Sequence, residues 1–139
     1  MHQLPMPAAD LIPQKAPFQC IDSILTCNES ETRTSFRIPG NHVLCFEGVL
    51  CESALIEVMA QTAAASSGFH QLVSGNGVRR GFIGAVKNIK IHAITRAGDE
   101  LEATIQPLHQ VGSASIVTGA VYLKGQQIAS CELTIFTEN

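Results

Sequence analysis

Residues 53–69 read SALIEVMAQTAAASSGF, and the architecture follows from them. The stretch holds strong helix formers, no proline, and a serine at its start that can cap a free backbone N–H, so it predicts a helix over 53–69. Glu57 is its one charged residue; the others are apolar or small nearly all the way round. Such a helix belongs inside other structure rather than on a wet surface, and is expected to be central. Gly75-Asn76-Gly77 marks a break beyond its end, because Gly and Asn tolerate positive φ.

The enclosing structure is readable on both sides. Upstream, after a short helical turn near 8–12, residues 18–26 are rich in Ile, Leu, Phe and Cys and run into Asn28-Glu29-Ser30-Glu31; residues 32–38 carry β-formers as far as Pro39-Gly40. Two antiparallel strands are expected there. Downstream, 82–92 is β-rich, Leu101, Ala103 and Ile105 alternate with Glu102, Thr104 and Gln106, residues 114–122 alternate likewise, and 128–136 closes the chain. Ala97-Gly98-Asp99, Val111-Gly112-Ser113 and Lys124-Gly125 are turns, which makes a meander of three or four strands. An α+β fold with an antiparallel sheet wrapped around one long central helix satisfies the helix's apolarity and gives the sheet a dry face. The other face, or an edge strand, must be met by water or a second subunit.

With 139 residues, 45% of them hydrophobic and 15% charged, the chain is expected to fold as one domain, residues 1–139, with its core in 10–137. Nine Lys and Arg against twelve Asp and Glu leave −3, so no basic field invites nucleic acid. The N-terminal residues lack the basic start and apolar run of a secretory signal. The longest apolar tract, 48–69, is interrupted by Glu52, Glu57 and Gln61, and no membrane span is expected. Cys20, Cys27, Cys45, Cys51 and Cys131 are odd in number and show no Cys-x-x-Cys spacing, which reads as reduced thiols in a cytoplasmic protein.

Glu57 is the most informative residue. A carboxylate on an enclosed apolar helix must find hydrogen-bond donors, pair with a cation, or have its pKa raised toward the range useful in acid–base chemistry. The structural alternatives are a tilted helix that leaves Glu57 in water, or a pairing with arginine across a dimer seam. Gln61 is one turn on, where it could orient the carboxylate. His42, in the loop before the helix, is a proton shuttle if the loop folds back over Glu57, and otherwise an exposed loop histidine. The amides near Gly48 and Val49, read as lying just before the helix, could polarise a carbonyl oxygen. His42, Cys45 and Cys51 fall short of a metal set for want of a fourth ligand, and spacing alone does not make a nucleophile–base pair of Cys45 and His42. His2, His70, His92 and His109 stand without a constellation. Arg79, Arg80, Lys87, Lys90 and Arg96 concentrate basic charge, either as solvated edge charge or as a landing site for phosphate or an acidic carrier protein.

The ordered set of motifs resembles the hot-dog-fold 3-hydroxyacyl-[acyl-carrier-protein] dehydratases. PFQCIDSIL, ending at Leu25, is similar to that family's Pro-Phe-Leu-Leu-Val-Asp-Arg-Val segment; LIEVMAQ at 55–61 is similar to its helix motif Ile-Glu-Ala-Leu-Ala-Gln. The 81–84 segment, the Ala97-Gly98-Asp99 turn and the closing meander also align, so the resemblance spans about 11–136. It is nearest in style to the short dehydratase-like proteins of aryl-polyene and polyketide-type pathways. The resemblance implies a dimer in which a helix acid and a loop histidine from opposite subunits dehydrate a 3-hydroxyacyl thioester. Glu57 matches the acid. The family's His-Phe-Pro-Gly loop is absent: aligning on Pro39-Gly40 puts Arg37 at the histidine, whereas counting back from Glu57 reaches His42, which is favoured because Arg37 belongs to a strand.

What the resemblance then implies is a trans-2-enoyl product, with His42 removing the α-proton, Glu57 protonating the departing hydroxyl, and Phe82, Ile83 and Gly84 beside an apolar acyl tunnel. The substrate is expected to be carried on acyl-carrier protein or coenzyme A, and no metal or redox cofactor is required. A homodimer is expected. The rivals are a non-catalytic dehydratase-like subunit that lends Glu57 or half a pocket to a true dehydratase partner in a heterodimer, and an acyl thioesterase.

Overall fold

The computed structural model describes residues 3–75 and 81–137. In chain order the elements are β1 (Met6–Pro7), β2 (Ser23–Cys27), β3 (Thr32–Arg37), β4 (Cys45–Phe46), β5 (Val49–Leu50), α1 (Glu52–Ser74), β6 (Gly81–Ile91), β7 (Thr95–Arg96), β8 (Glu100–Val111), β9 (Ala114–Leu123) and β10 (Gln126–Thr137). One antiparallel sheet of seven strands, in the order β1-β2-β3-β8-β9-β10-β6, packs on α1, and β4-β5-β7 form a small second sheet.

The helix forms where the sequence predicts and runs further, to Ser74, because no breaker intervenes before Gly75, which caps it in the left-handed region at φ 70° and donates its N–H to the Gln71 carbonyl. Gly68 does not stop it. A Cβ there would stand 2.4 Å from the Leu11 carbonyl oxygen, so the missing side chain is what lets the N-terminal segment cross the helix. The expected serine cap does not occur: Cys51 is the N-cap residue and makes no side-chain cap bond, while Ser53 Oγ lies 3.3 Å from Cys51 Sγ.

The rotation of α1 on the sheet places the site. Leu55, Val58 and Met59 meet the inward residues Leu101, Ala103, Val121 and Leu133, all buried. Beside this apolar contact, β3 and α1 are joined by hydroxyl pairs, Thr34 Oγ1 with Thr62 Oγ1 at 2.8 Å and Thr32 Oγ1 donating to Ser66 Oγ at 2.7 Å. With Thr62 and Ser66 turned to β3, Glu57 and Gln61 face the segment that precedes β2.

That segment departs from expectation. Residues 8–12 hold one hydrogen-bonded turn, Leu11 N–H to the Ala8 carbonyl, rather than a helical turn, and β2 starts at Ser23 rather than at Phe18. The backbone of Phe18, Gln19 and Cys20 is bonded to side chains of the helix and loop, so it cannot also serve a ladder. The downstream strands form as read, and three of them, β8-β9-β10, run as the meander, while β6 lies beyond β10 at the sheet's edge. Among the described residues no helix is long and apolar enough to cross a membrane.

Candidate active site

Gln61 is the hub. It is fully buried, and its Oε1 accepts the Cys20 N–H at 2.6 Å. That bond orients the amide, because only the oxygen can accept, so its NH2 group faces the Phe18 carbonyl and Glu57 Oε1, each at 3.0 Å. Glu57 itself is half-buried. Of the outcomes open to it, it has found a hydrogen-bond donor, and one carboxylate oxygen is thereby fixed as an acceptor.

His42 is buried, 7% exposed, with its ring edge-on to Phe36 at 5.7 Å between centroids. Two successive turns, His42 N to the Pro39 carbonyl and Cys45 N to the His42 carbonyl, roll its side chain inward. The Leu44 N–H donates to Nδ1 at 3.1 Å, which requires a lone pair there; Nε2 therefore carries the hydrogen and donates to the Gln19 carbonyl at 2.9 Å. Both ring nitrogens are spent on backbone, and this geometry opposes the expectation that His42 abstracts a proton. The Cys20 thiol, 3.7 Å from Nε2, connects the two halves of the cluster. Burial, then the neighbouring Glu57 and Cys51, push it up to about 12, so it stays protonated.

Three consecutive residues thus position both named side chains: Phe18 and Cys20 hold Gln61, which holds Glu57, and Gln19 holds His42. The sequence reading placed Gln19 and Cys20 in a strand, with Cys20 among the reduced thiols, and gave neither a part in the site. The one available signal was the family-like segment ending at Leu25.

The other expected residues lie as follows. Gly48 and Val49 do not stand at the helix start: Glu47 and Gly48, at φ 51° and 80°, make the two-residue turn of the β4–β5 hairpin, and Val49 is in the central strand of the small sheet. Arg37 is exposed at the end of β3, its N–H given to Asp22 Oδ2. Phe82, Ile83 and Gly84 open β6 at the sheet edge, where Phe82 stacks on Phe136. Lys87 and Lys90 are exposed on the same strand, opposite Glu132 and Ser130, and Arg96 is exposed in β7. Arg79 and Arg80 lie outside the described residues. The Cys45 thiol, raised by burial and by Cys51, turns to the Pro39 carbonyl rather than to His42. Among the described residues no three His, Cys, Asp or Glu side chains are grouped to hold a metal ion.

One long helix packed against a large antiparallel sheet is the hot-dog fold, and solved structures bear this out. The chain superposes on a protein of the dehydratase heterocomplex ApeI:P from Xenorhabdus doucetiae with a TM-score of 0.86 at 18% identity, covering 96% of this chain and 92% of that one. It is also similar to the TT0310 protein of Thermus thermophilus (TM-score 0.68, 15% identity, 88% and 98% covered). A hypothetical thioesterase with coenzyme A from Streptococcus pneumoniae is similar too (TM-score 0.67, 14% identity, 84% of each chain covered). At these identities the likeness shows the fold. No curated protein matches in sequence. The ApeP-like family, described as ApeP dehydratase, matches residues 6–139, and the chain belongs to that dehydratase family.

Proposed function

We propose that the chain is the acid-bearing subunit of a two-subunit 3-hydroxyacyl-thioester dehydratase, acting on carrier-bound chains in the cytoplasm. The observation that carries this is the held carboxylate, with Gln61 engaging Glu57 Oε1; the reading assigns the transferred proton to the other oxygen, Oε2. In this reading an imidazole of the other subunit takes the α-proton of the substrate. Glu57 gives its proton to the departing hydroxyl, which leaves as water, and the trans-2-enoyl thioester remains. Unpaired amides at the start of α1 polarise the thioester carbonyl. The chemistry asks for no redox cofactor, because the thioester already acidifies the α-carbon.

Two features support a different partner over a self-sufficient homodimer. His42 has both nitrogens occupied, and the similar Xenorhabdus doucetiae protein comes from a dehydratase heterocomplex. The likeness to a thioesterase with coenzyme A favours a second reading, in which Glu57 activates water for hydrolysis. Product analysis separates them. The chain incubated with a 3-hydroxyacyl carrier substrate is expected to be inert alone and to give enoyl product once the ApeI subunit of the Xenorhabdus doucetiae complex is added. Free acid would mean hydrolysis. Full dehydration by the chain alone, lost on replacing His42 by Ala in protein that still folds, would restore His42 as the base and overturn the two-subunit reading.

A further inference from the structure

Four hydrogen bonds run in series from the loop before the helix to the acid, and in each the donor lies on the loop side. The Leu44 N–H gives to His42 Nδ1 at 3.1 Å, and His42 Nε2–H gives to the Gln19 carbonyl at 2.9 Å. The Cys20 N–H gives to Gln61 Oε1 at 2.6 Å, and the Gln61 NH2 group gives to Glu57 Oε1 at 3.0 Å. The middle two bonds meet on one object. The Gln19 carbonyl and the Cys20 N–H belong to the same peptide group, which is planar and trans, so oxygen and hydrogen leave from opposite edges of a rigid plate. His42 grips one edge and Gln61 the other.

The plate lies before β2 begins at Ser23, where no ladder fixes its tilt. Cys20 and Gln61 are fully buried and His42 nearly so, which leaves water little room to replace a lost bond. Serial alignment adds to this: a carbonyl that accepts a hydrogen bond makes the N–H of its own peptide a better donor. At the far end the aligned donors favour the charge that stays on Glu57 once it has given up a proton. The imidazole is footed on the helix as well, because the Leu44 carbonyl accepts the N–H of Cys51, the N-cap residue of α1. The linkage therefore leaves the start of α1 through Leu44 and His42 and returns to the same helix at Gln61, one turn beyond Glu57.

We propose that His42 is a positioning residue for Glu57: its Nε2–H sets the 19–20 peptide, which sets Gln61, which sets the carboxylate. This rests on the reading of Glu57 as the acid and names the residue that holds the acid in place.

Two substitutions divide the imidazole between its nitrogens. Asparagine puts an oxygen near the place of Nδ1, keeping the Leu44 bond while falling short of Gln19; glutamine puts its NH2 group near the place of Nε2, keeping the Gln19 bond. In the mixed complex, His42→Asn is expected to lower kcat roughly ten- to a hundredfold with KM little changed, the cost of a displaced catalytic group. His42→Gln is expected to keep turnover within a small factor of wild type, which a proton-abstracting histidine would not allow. In the chain alone, amide exchange at Cys20 is expected to quicken in His42→Asn and not in His42→Gln. Gln61→Leu already cuts the series beyond His42, so adding His42→Asn to it is expected to lower kcat no further, whereas independent effects would multiply. Wild-type turnover by folded His42→Asn overturns the proposal and leaves the imidazole a packing element. Equal losses in the two variants, or losses that multiply in the double variant, overturn it too. Should His42→Asn fail to fold, His42→Gln decides: folded protein that has lost turnover contradicts the proposal, and retained turnover with a protected Cys20 amide supports it. Exchange involves no catalysis, so if the Glu57→Gln complex dehydrates undiminished, the function reading fails while the Cys20 amide still decides whether His42 holds this peptide.

Discussion

Replacing Gln61 by leucine keeps the volume of the side chain and removes three hydrogen bonds at once. The losses are unequal. The Cys20 N–H is buried and leucine offers it nothing, which costs roughly 1–3 kcal/mol. The carbonyl of the exposed Phe18 can turn to water, so its bond is worth about 0.5–1 kcal/mol. The bond to Glu57 is charge-assisted but half-exposed, about 1 kcal/mol. Together these predict a loss of about 3 kcal/mol, which for a chain of this length lowers Tm by about 10 °C. Urea denaturation measures the free energy, and amide exchange at Cys20 reads the buried donor itself. Gln61→Glu keeps an acceptor for Cys20 and is expected to recover part of the stability while leaving turnover low, because it puts a second carboxyl against Glu57. A loss below about 1 kcal/mol in Gln61→Leu, with the Cys20 amide as protected as in wild type, would refute the reasoning.

Gly68→Ala, a change that ordinarily favours a helix interior by about 1 kcal/mol, is expected here to destabilise by about 1–3 kcal/mol in denaturation, because the new Cβ meets the Leu11 backbone at 2.4 Å. Burial lifts the Cys131 thiol to about 11 and Cys20 to about 12, from 9.0 in both. The folded chain therefore holds protons that the unfolded chain releases above about pH 9, so these two thiols leave stability unaffected below that pH and make it fall progressively as pH rises toward 12. Melts across the alkaline range check the slope. Mass spectrometry after alkylation of native protein is expected to find Cys20 and Cys131 unmodified while the more exposed Cys45 and Cys51 react.

The helix and the strand periods were legible because burial writes them locally: Leu101, Ala103 and Ile105 are buried as their alternation demands. Strand order was not, since β6 pairs with the last strand and nothing in residues 82–92 names that partner. Glu57 and Gln61 could be paired from helical spacing alone. The inward turn of His42 depends on the Gln19 carbonyl, 23 residues earlier in the chain, and main-chain atoms leave no trace in side-chain patterns. The placement of Gly48 and Val49 at the helix start overlooked a signal that was present: Glu47-Gly48 between the apolar Phe46 and Val49 is hairpin chemistry.

The decisive measurement is enoyl formation by the mixed complex carrying Glu57→Gln, a change that preserves an oxygen acceptor for Gln61. The expected result is a complex that assembles and melts like wild type yet turns over some hundred- to ten-thousandfold more slowly, roughly the worth of a positioned general acid. Undiminished dehydration by that complex would mean that the proton comes from elsewhere, and the site assigned to this chain would be wrong.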